Sequence, residues 1–240
     1  MPFQENRYNE IAEKYSESDI KPDKKYSILP TVLQLAERLD GKTVLDLGCG
    51  DGFFTEQLAS QGAVKVIGID NSEKQIGLAN KIKSEKTEYR LADIFKDELP
   101  KADFINSPFV LNYATDTLTL SNYFQRLFNT LNTDGKIVLV FDKPSGSNLE
   151  KFGAKKTLDE NIDGANMQID LYNQGKFILS LHATYFKEET IKQLLKEAGF
   201  QNITSHAPII SDEGKIKMGE DFWKGYIENS ELGYITAEKI

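Results

Sequence analysis

Short apolar runs alternate with one-faced apolar periodicities through the first 141 residues of the chain. The runs have the length of buried strands, and the periodic stretches place apolar residues on one face of a helix. The predicted strands are residues 43–45, 65–69, 89–92, 103–106 and 136–141. The predicted helices are residues 29–39, 54–59, 72–82 and 117–131. Strands that alternate with helices in this order form a parallel sheet with helices on both faces.

The pattern changes after residue 142. Residues 143–165 show no clear period, and a segment of this length within a compact domain is usually functional. Residues 167–172 and 176–185 alternate around Asn173-Gln174-Gly175 and predict a β-hairpin. The last predicted elements are a helix over 188–198, a strand over 200–206 and a short aromatic helix with Phe222, Trp223, Tyr226 and Ile227.

A glycine-rich turn separates the first predicted strand from its helix, and its glycines are Gly48, Gly50 and Gly52. Glycines permit positive φ and leave the backbone bare for a ligand, while the helix start presents unpaired N–H groups. The third glycine of a dinucleotide fingerprint would fall at Phe53, so that pattern fails. Asp46 and Asp51 would repel a pyrophosphate, and the loop therefore favours a cationic ligand.

The loop sequence Asp-Leu-Gly-Cys-Gly-Asp-Gly at 46–52 resembles motif I of the class I S-adenosylmethionine-dependent methyltransferases. The resemblance implies S-adenosylmethionine as cofactor, and this ligand is cationic at its sulfonium and ammonium groups. It also implies an α/β, Rossmann-like fold with a seven-stranded, mostly parallel sheet and one late antiparallel strand. The sequence leaves open which late segment forms that strand.

Further cofactor contacts are expected at the ends of the second and third strands. Asp70 ends the second strand twenty residues after Gly50, where an acid can accept both ribose hydroxyls. Ser72 and Gln75 form a predicted capping box. In the resembled family, an acid at the position of Asp93 bonds the adenine amino group and the next apolar residue lines the ring pocket. The predicted cofactor-binding residues are Asp46, Gly48, Cys49, Gly50, Asp51, Gly52, Phe53, Asp70, Asn71, Gln75, Asp93, Ile94, Ser107 and Tyr15.

The methyl acceptor is expected beside the fourth strand. Pro108 takes the chain out of the sheet there, at the edge where open α/β sheets bind ligands. The predicted substrate-binding residues are Tyr8, Phe109 and Asn112, with Asn106 and Ser107 nearby. Methyl transfer from a sulfonium requires no catalytic side chain, but a base would assist a protonated acceptor. The candidate bases are Tyr113, His182 and Asp142, and an isolated His182 on an alternating strand is more often structural.

Two short segments resemble the toxoflavin synthase group of small-molecule methyltransferases. They are Leu-Asn-Tyr-Ala at 111–114 and Gly-x-x-Phe-Trp-x-x-Tyr at 219–226. The aromatics at 222–226 have an alternative role as a packing anchor. The helical motif Tyr-x-x-Ile-Ala-x-x-Tyr at 8–15 resembles the N-terminal lid of such enzymes, and simple packing on the core is the alternative.

The expected organisation is one methyltransferase domain over residues 1–240. Its predicted parts are a lid helix (1–27), a cofactor-binding core (28–142), a loop and hairpin insertion over the acceptor site (143–186) and a C-terminal helix, strand and aromatic anchor (187–240).

Composition narrows the partners. A net charge of −8 and scattered lysines disfavour nucleic acid. The single cysteine, Cys49, cannot form an internal disulfide, and two histidines provide no zinc cluster, so no metal is expected. No apolar run approaches a membrane span and residues 1–15 lack a signal region, which favours a cytoplasmic protein with a small-molecule acceptor, as monomer or homodimer.

Three other functions stay open on the sequence. A nicotinamide-dependent oxidoreductase is opposed by Phe53 and the acidic loop. A non-catalytic S-adenosylmethionine-binding protein would keep the pocket without turnover. A nucleic-acid or protein methyltransferase is disfavoured by acidity and by Asn106-Ser107-Pro108-Phe109, which departs from the Asn/Asp-Pro-Pro-Tyr signature for base amines.

Overall fold

The structure is a computed structural model, and it describes residues 9–11, 21–147, 149–173 and 175–240. The strands are β1 (Thr43–Leu47), β2 (Lys65–Asp70), β3 (Thr87–Leu91), β4 (Ala102–Pro108), β5 (Leu131–Asp142), β6 (Ala154–Leu158), β7 (Ala165–Asn173), β8 (Lys176–Tyr185), β9 (Gln201–His206) and β10 (Leu232–Lys239). The helices are α1 (Leu29–Ala36), α2 (Phe53–Ser60), α3 (Glu73–Ile82), α4 (Thr117–Thr130), α5 (Glu188–Glu197), α6 (Asp212–Met218) and α7 (Glu220–Trp223). A π-helical turn, Lys24–Ile28, leads into α1.

Seven strands form the central sheet in the order β3-β2-β1-β4-β5-β10-β9. Strands β1 to β5 are parallel, and β10 runs antiparallel to both of its neighbours, with Tyr234 opposite Val140 on β5. The predicted mostly parallel sheet with one late antiparallel strand is confirmed. The antiparallel strand is β10, to which the sequence patterns had assigned no element.

A second sheet has the order β6-β7-β8. The predicted hairpin is confirmed as β7 and β8, in which Ile169 pairs with Leu181. Strand β6 and a 3-10 turn at Glu150–Phe152 lie within residues 143–165, where no element was predicted. One face of this sheet is apolar, and its buried residues are Ala165, Met167, Ile169, Leu171, Leu179, Leu181, Ala183 and Tyr185.

Several predicted boundaries are wrong, including those of helix α1 and of strands β1, β3, β4 and β5. Helix α1 ends at Ala36 rather than at residue 39, because Glu37 adopts a positive φ of 58° that no helix can continue. Strand β5 begins at Leu131, ahead of the turn at residues 134–135. Strand β4 continues to Pro108, since a proline at the last strand position removes only one donor.

The core lies on both faces of the central sheet, since alternate strand residues point to opposite sides. Helix α4 packs Tyr123, Phe124 and Leu127 on one face. The opposite face is covered by α1 and α2 through Val32 and Leu58. Among the described helices, none combines the length and the apolar character that a bilayer crossing requires.

Candidate active site

The glycine-rich turn folds back over the end of β2. The amides of Gly48 and Cys49 both donate to the carbonyl of Ile69, at 2.8 and 3.1 Å. All three loop glycines have positive φ, of 68° at Gly48, 55° at Gly50 and 90° at Gly52. Glycine adopts this conformation without the steric penalty of other residues. The loop is thereby fixed at the carboxyl ends of β1 and β2.

The three glycines differ in what surrounds them. A Cβ on Gly48 would lie 2.8 Å from Val110 Cγ2, and one on Gly52 would lie 2.9 Å from Tyr89 Cζ. Both positions exclude a side chain by contact with the protein itself. A Cβ on Gly50 would have Gln75 Oε1, at 4.0 Å, as its nearest atom among the described residues. The backbone at Gly50 is therefore open in the described structure.

Asp70 holds the turn from the end of β2. Its Oδ2 accepts from the amide of Gly50 and its Oδ1 from the amide of Ser72, both at 2.9 Å. Burial raises the pKa of this carboxyl, and the backbone donors act in the opposite direction. The remaining lone pairs of both oxygens can accept further hydrogen bonds beside the open backbone of Gly50.

The start of α3 corrects the predicted capping box. Ser72 is the N-cap and its hydroxyl accepts from the amide of Gln75 at 3.3 Å, as expected. The reciprocal bond from Gln75 is replaced by Asp70, which accepts from the Ser72 amide. The side-chain nitrogen and oxygen of Gln75 are both buried, and neither has a hydrogen-bond partner among the residues that the structure describes. A buried primary amide with no partner among the described residues is a rare arrangement.

Asp46 is completely buried below the turn. Its Oδ2 accepts from Thr55 Oγ1 at 2.6 Å and its Oδ1 from Asn106 Nδ2 at 2.8 Å. Burial raises the pKa of Asp46 to about 6, against the lowering effect of these two bonds and of the Lys24 charge. The carboxyl therefore positions α2 and β4 around the loop and keeps a negative charge beneath it at neutral pH.

Two neighbouring loop residues have local roles. Cys49 is buried against Ile76, Ala79 and Tyr89, and burial raises the pKa of its thiol, in agreement with a packing role. Asp51 Oδ1 accepts from the amide of Phe53 at 3.3 Å at the start of α2. Asn71, which follows Asp70, is exposed.

Asp93 and Ile94 follow β3. Asp93 is half-buried, and its carboxylate accepts from the amide of Phe95 at 2.9 Å and pairs with Lys96 at 2.8 Å. Ile94 is buried in the core. In the described structure Asp93 thus stabilises its own turn.

The segment after β4 contains strain and buried contacts. Phe109 has a φ of 64°, which is rare for an aromatic residue, and its amide donates to Val140 O at 2.6 Å. Ser107 is buried and its hydroxyl lies 2.6 Å from the Tyr123 hydroxyl. Asn112 Nδ2 donates to Thr184 O at 3.0 Å. Its Oδ1 accepts from the Asp142 amide at 2.9 Å.

The three candidate bases lie on different structural elements. Asp142 Oδ1 is 2.7 Å from Lys156 Nζ, in an ion pair of which both side chains are buried. His182 is half-buried on β8 and points away from the apolar face that holds Leu181 and Ala183. Tyr113 is half-buried in the 3-10 turn after β4.

Part of the predicted lid is described. Asn9 Oδ1 accepts from Ser72 Oγ at 2.8 Å and from the Lys74 amide at 3.3 Å, and Ile11 packs on the apolar face of the second sheet. The helix at residues 9–11 therefore contacts both the N-terminus of α3 and the β6-β7-β8 sheet. Tyr8 and Tyr15 lie outside the described residues.

The sequence patterns did not single out three residues that the structure places here. Thr55 and Lys156 bind the buried carboxylates Asp46 and Asp142, and Lys24 lies 4.9 Å from the Phe53 ring centroid. A threonine in the first turn of the helix after a buried aspartate was an available signal for Thr55. No local signal marked Lys156, since the acid it pairs with is fourteen residues earlier on another sheet.

Some known proteins match most of this chain, and others match less than half of it. It is 28% identical over 226 residues to an uncharacterized protein of Haemophilus influenzae, covering 88% of this chain and 86% of that protein. The mitochondrial ubiquinone biosynthesis O-methyltransferase of Bos taurus is 34% identical over 115 residues, covering 44% of this chain and 30% of that protein. The tRNA U34 carboxymethyltransferase of Shewanella woodyi is 29% identical over 104 residues, covering 42% of this chain and 32% of that protein. The matched segments thus span about a third of these two relatives.

A solved structure shares the fold. The S-adenosylmethionine-dependent methyltransferase of Mesorhizobium loti superimposes with a TM-score of 0.64 at 19% identity, covering 92% of this chain and 99% of that one. The model of the methyltransferase domain family matches residues 20–205, which include the glycine loop, Asp70 and the second sheet. The chain therefore belongs to the methyltransferase domain family and is a class I methyltransferase with S-adenosylmethionine as its cofactor.

Proposed function

We propose that this enzyme methylates a nitrogen or oxygen of a small heterocyclic or aromatic metabolite. The observation that supports a small acceptor is the cover beside the carboxyl ends of β4 and β5. The β7–β8 hairpin lies against the turn after β4, where Asn112 donates to Thr184 O, and Ile11 packs on the apolar face of the same sheet. A site covered by the enzyme's own chain suits a small molecule better than a base of a folded nucleic acid.

The cofactor side is proposed to use the loop and the strand ends around it. The bare backbone at Gly50 would lie against the methionyl part, and Asp70 would accept the ribose hydroxyls with its remaining lone pairs. The Gln75 amide oxygen, which has no partner among the described residues, lies 4.0 Å from the position that a Cβ on Gly50 would take. Asp93 and Ile94 are proposed for the adenine, and the negative charge of Asp46 favours a cationic ligand above it. The other proposed contacts are Gly48, Cys49, Asp51, Gly52, Phe53, Asn71, Ser107 and Tyr15.

The acceptor side is proposed to use the segment after β4 and the N-terminal lid. Phe109 is held in a strained conformation at the end of β4, as residues at ligand sites often are. Asn112, Phe109 and Tyr8 are the proposed acceptor contacts. Among the three candidate bases we retain Tyr113, because Asp142 is held in an ion pair and His182 points away from the apolar face.

Catalysis then rests on position. S-adenosylmethionine supplies a methyl group on a sulfonium that is already activated as an electrophile. The chain would hold the acceptor atom in line with that methyl group, and its cover would exclude water as a competing nucleophile. The Tyr113 hydroxyl would orient the acceptor atom through a hydrogen bond, and it would act as a base only after its own proton has passed to solvent.

Isothermal titration with S-adenosylmethionine, S-adenosylhomocysteine and NAD tests the cofactor side. The Asp70→Ala variant should bind both adenosyl ligands about 10- to 100-fold more weakly, as expected for a lost charge-assisted hydrogen bond. The matched control is Asp40→Ala, which removes an exposed carboxylate paired with Arg38 on the surface. Equal affinities in the two variants would contradict the assignment of Asp70.

Release of S-adenosylhomocysteine in the presence of acceptors tests the substrate class. The panel contains hydroxy- and amino-substituted aromatics and heterocycles, with bulk tRNA included because one partial relative is a tRNA U34 carboxymethyltransferase. Turnover with small molecules and none with tRNA is expected, given the charge of −8. Turnover with tRNA alone would reject the proposal, and ligand binding without any turnover would favour a non-catalytic binding protein.

A further inference from the structure

A second group of buried polar residues lies at the carboxyl end of β5, outside the glycine loop. We call it the β5-end cluster, and its members are Asp23, Ser27, Asp142, Lys156, Tyr226, Glu231 and Tyr234, all at most 8% exposed. They come from the π-helical turn and its N-cap, β5, β6, β10 and the segment after α7. Elements far apart in the chain thus bring seven polar side chains into one dry region.

Lys156 is the centre of its bonded part. The ammonium lies 2.7 Å from Asp142 Oδ1 and donates to the carbonyl of Glu231 at 2.6 Å. The Glu231 side chain is held separately, since its Oε1 accepts from the amides of Ser145 and Ser147 at 2.8 and 3.1 Å. One lysine therefore already has two partners within the cluster.

Four other polar atoms of the cluster have no hydrogen-bond partner within the described ranges of the chain. They are Ser27 Oγ, Tyr226 Oη, Tyr234 Oη and Glu231 Oε2. Their residues are no more than 3% exposed. Ser27 acts on the pKa of Tyr226 and Thr31 on that of Tyr234, but neither contact has the geometry of a hydrogen bond. Buried polar atoms almost always have a partner, because leaving one without a partner is unfavourable. Four such atoms in one region, none of them bonded to a described residue, are open to hydrogen bonds from a further group.

Asp23 lies near both tyrosines, which carry two of the four unpartnered oxygens. Burial is the main reason that the pKa of both tyrosines is raised, and the charge of Asp23 raises both further. Burial raises the pKa of Asp23. The ammonium of Lys156 is close enough to act in the opposite direction and lower that pKa. The tyrosine hydroxyls, Asp23 and the ion pair therefore belong to a single electrostatic environment.

The charge of the cluster indicates what it would bind. Its seven members include three carboxyl groups and one ammonium group, and every unpartnered atom is an oxygen. Three of these oxygens belong to hydroxyl groups, which can accept or donate, and Glu231 Oε2 as a carboxylate only accepts, so the set can take hydrogen bonds from the N–H groups of a cation. Lys21 and Lys24, outside these seven residues, also act on Asp23. An anionic ligand would meet the carboxylates, while the one ammonium of these seven residues is already paired with Asp142.

The cluster adjoins the cofactor loop. Lys24, next to Asp23, has its ammonium 4.9 Å from the centroid of the Phe53 ring, and its charge acts on both Asp46 and Asp23. Asn112, a proposed acceptor contact, accepts from the amide of Asp142 at 2.9 Å. A molecule beside the methyl group could therefore extend into the cluster.

We propose that the β5-end cluster is a subsite that binds an ammonium or amidine group of the methyl acceptor. This inference rests on the proposed function, and it narrows the acceptor to a small molecule with a cationic nitrogen away from the methylated atom. Because the seven residues are at most 8% exposed, binding requires the segments that cover the cluster to move.

The test uses the full chain saturated with S-adenosylhomocysteine and two size-matched probes, benzylamine and benzoate. Benzylamine should bind in isothermal titration and benzoate should not. The Tyr226→Phe/Tyr234→Phe double variant and the Glu231→Gln variant should each weaken benzylamine about tenfold, as expected for lost hydrogen bonds to a charged group.

Thermal stability separates a ligand subsite from a site filled by internal water. Removal of an unpartnered hydroxyl should leave the Tm of the double tyrosine variant unchanged or raised. The control is Tyr123→Phe, which loses a buried 2.6 Å bond to Ser107 and should have a lowered Tm. The proposal is overturned if the double variant loses as much Tm as the control, or if benzoate binds as tightly as benzylamine.

Failure of this inference is distinguishable from failure of the proposed function. If only tRNA is methylated while benzylamine still binds and depends on the two tyrosines, the small-molecule function fails and the cluster remains a cation site without an acceptor. If small aromatics are methylated but benzylamine neither binds nor competes with them, the cluster has no part in acceptor binding.

Discussion

Two buried carboxylates at the same edge of the central sheet are stabilised in different ways. At the end of β1, Asp46 is bound by the neutral groups of Thr55 and Asn106. At the end of β5, Asp142 is paired with the ammonium of Lys156. The first is surrounded by residues close to it in sequence or on the adjacent strand, and the second depends on a strand of another sheet.

Under the proposed function, this difference separates the cofactor region from the acceptor region. The two described hydrogen bonds of Asp46 come from neutral groups, so its negative charge remains available to a cationic ligand above the loop. The charge of Asp142 is already neutralised by Lys156, and what remains open in that region is a set of oxygens without partners among the described residues. If these assignments hold, the first arrangement serves a cofactor of fixed chemistry, and the second can differ with the acceptor.

The largest expected effect comes from removing the cation at the end of β5. Lys156→Met leaves Asp142 buried without its partner, and the free energy of unfolding should fall by about 3–5 kcal/mol. Affinity for S-adenosylhomocysteine should change less than about twofold if the two regions are independent. Urea unfolding and isothermal titration measure the two quantities.

The matched variant is Lys156→Met/Asp142→Leu, which removes both charges. Because an apolar pair of similar volume often replaces a buried ion pair without loss, stability should recover most of the difference. A single variant as stable as the wild type would show that Asp142 does not depend on Lys156, and the contrast with Asp46 would disappear.

The second effect concerns the loop itself. Gly52→Ala adds a Cβ 2.9 Å from Tyr89 Cζ at a residue with a φ of 90°. The conformational penalty and the overlap together should lower the free energy of unfolding by about 2–4 kcal/mol and weaken S-adenosylmethionine binding. Chemical unfolding and titration of the same preparation test both.

Gly41→Ala is the control for this substitution. Gly41 has a φ of 74° and no atom of the described chain within 4 Å of the added Cβ, so only the conformational penalty of about 1–2 kcal/mol applies. Cofactor affinity should be unchanged there. Equal losses in the two variants would mean that the approach of Tyr89 to the loop has no energetic consequence.

The same contrast explains what could be predicted from the sequence. The glycine loop, Asp70 and the Ser72 cap lie within thirty residues and follow directly from local strand, turn and helix patterns. The partners of Asp46 are also nearby, since Thr55 is on the next helix and Asn106 on the adjacent strand. Local periodicity therefore describes most of the cofactor side.

The proposed acceptor side could not be predicted from local periodicity. Strand β10 pairs with β5 across about ninety residues of sequence, with Tyr234 opposite Val140, and β6 lies in a stretch without clear period. Lys156 and Tyr226 look like ordinary polar residues until the topology buries them. A pattern along the chain reports burial on one element, but it does not report which distant element provides the partner.

The smallest expected effect is the pH dependence of stability that comes from Asp46. The pKa of Asp46 is about 6 in the folded protein, above the ordinary value of 3.8, because burial disfavours its charge. Protonation of Asp46 therefore contributes to the stability of the folded protein. This contribution is complete below about pH 4 and is lost as pH rises through 6. Asp46→Asn removes this loss, so the variant should be more stable than the wild type above pH 6, by at most about 3 kcal/mol, with no difference near pH 4.

The same substitution should act on binding with the opposite sign. If the ionised Asp46 attracts the cationic cofactor, the affinity of the wild type for S-adenosylmethionine should fall as pH drops below 6, and the variant should bind more weakly with a flat profile over this range. Unfolding and titration from pH 4.5 to 8 give both curves. The amide oxygen introduced by Asp46→Asn can still accept from Asn106. A variant that loses affinity for S-adenosylmethionine but keeps its stability would therefore show that binding depends on the charge of Asp46 and not on packing. A variant that binds as tightly as the wild type at pH 8 would mean that Asp46 only braces the loop, and the negative charge under the cofactor would then have to come from Asp51 and Asp70.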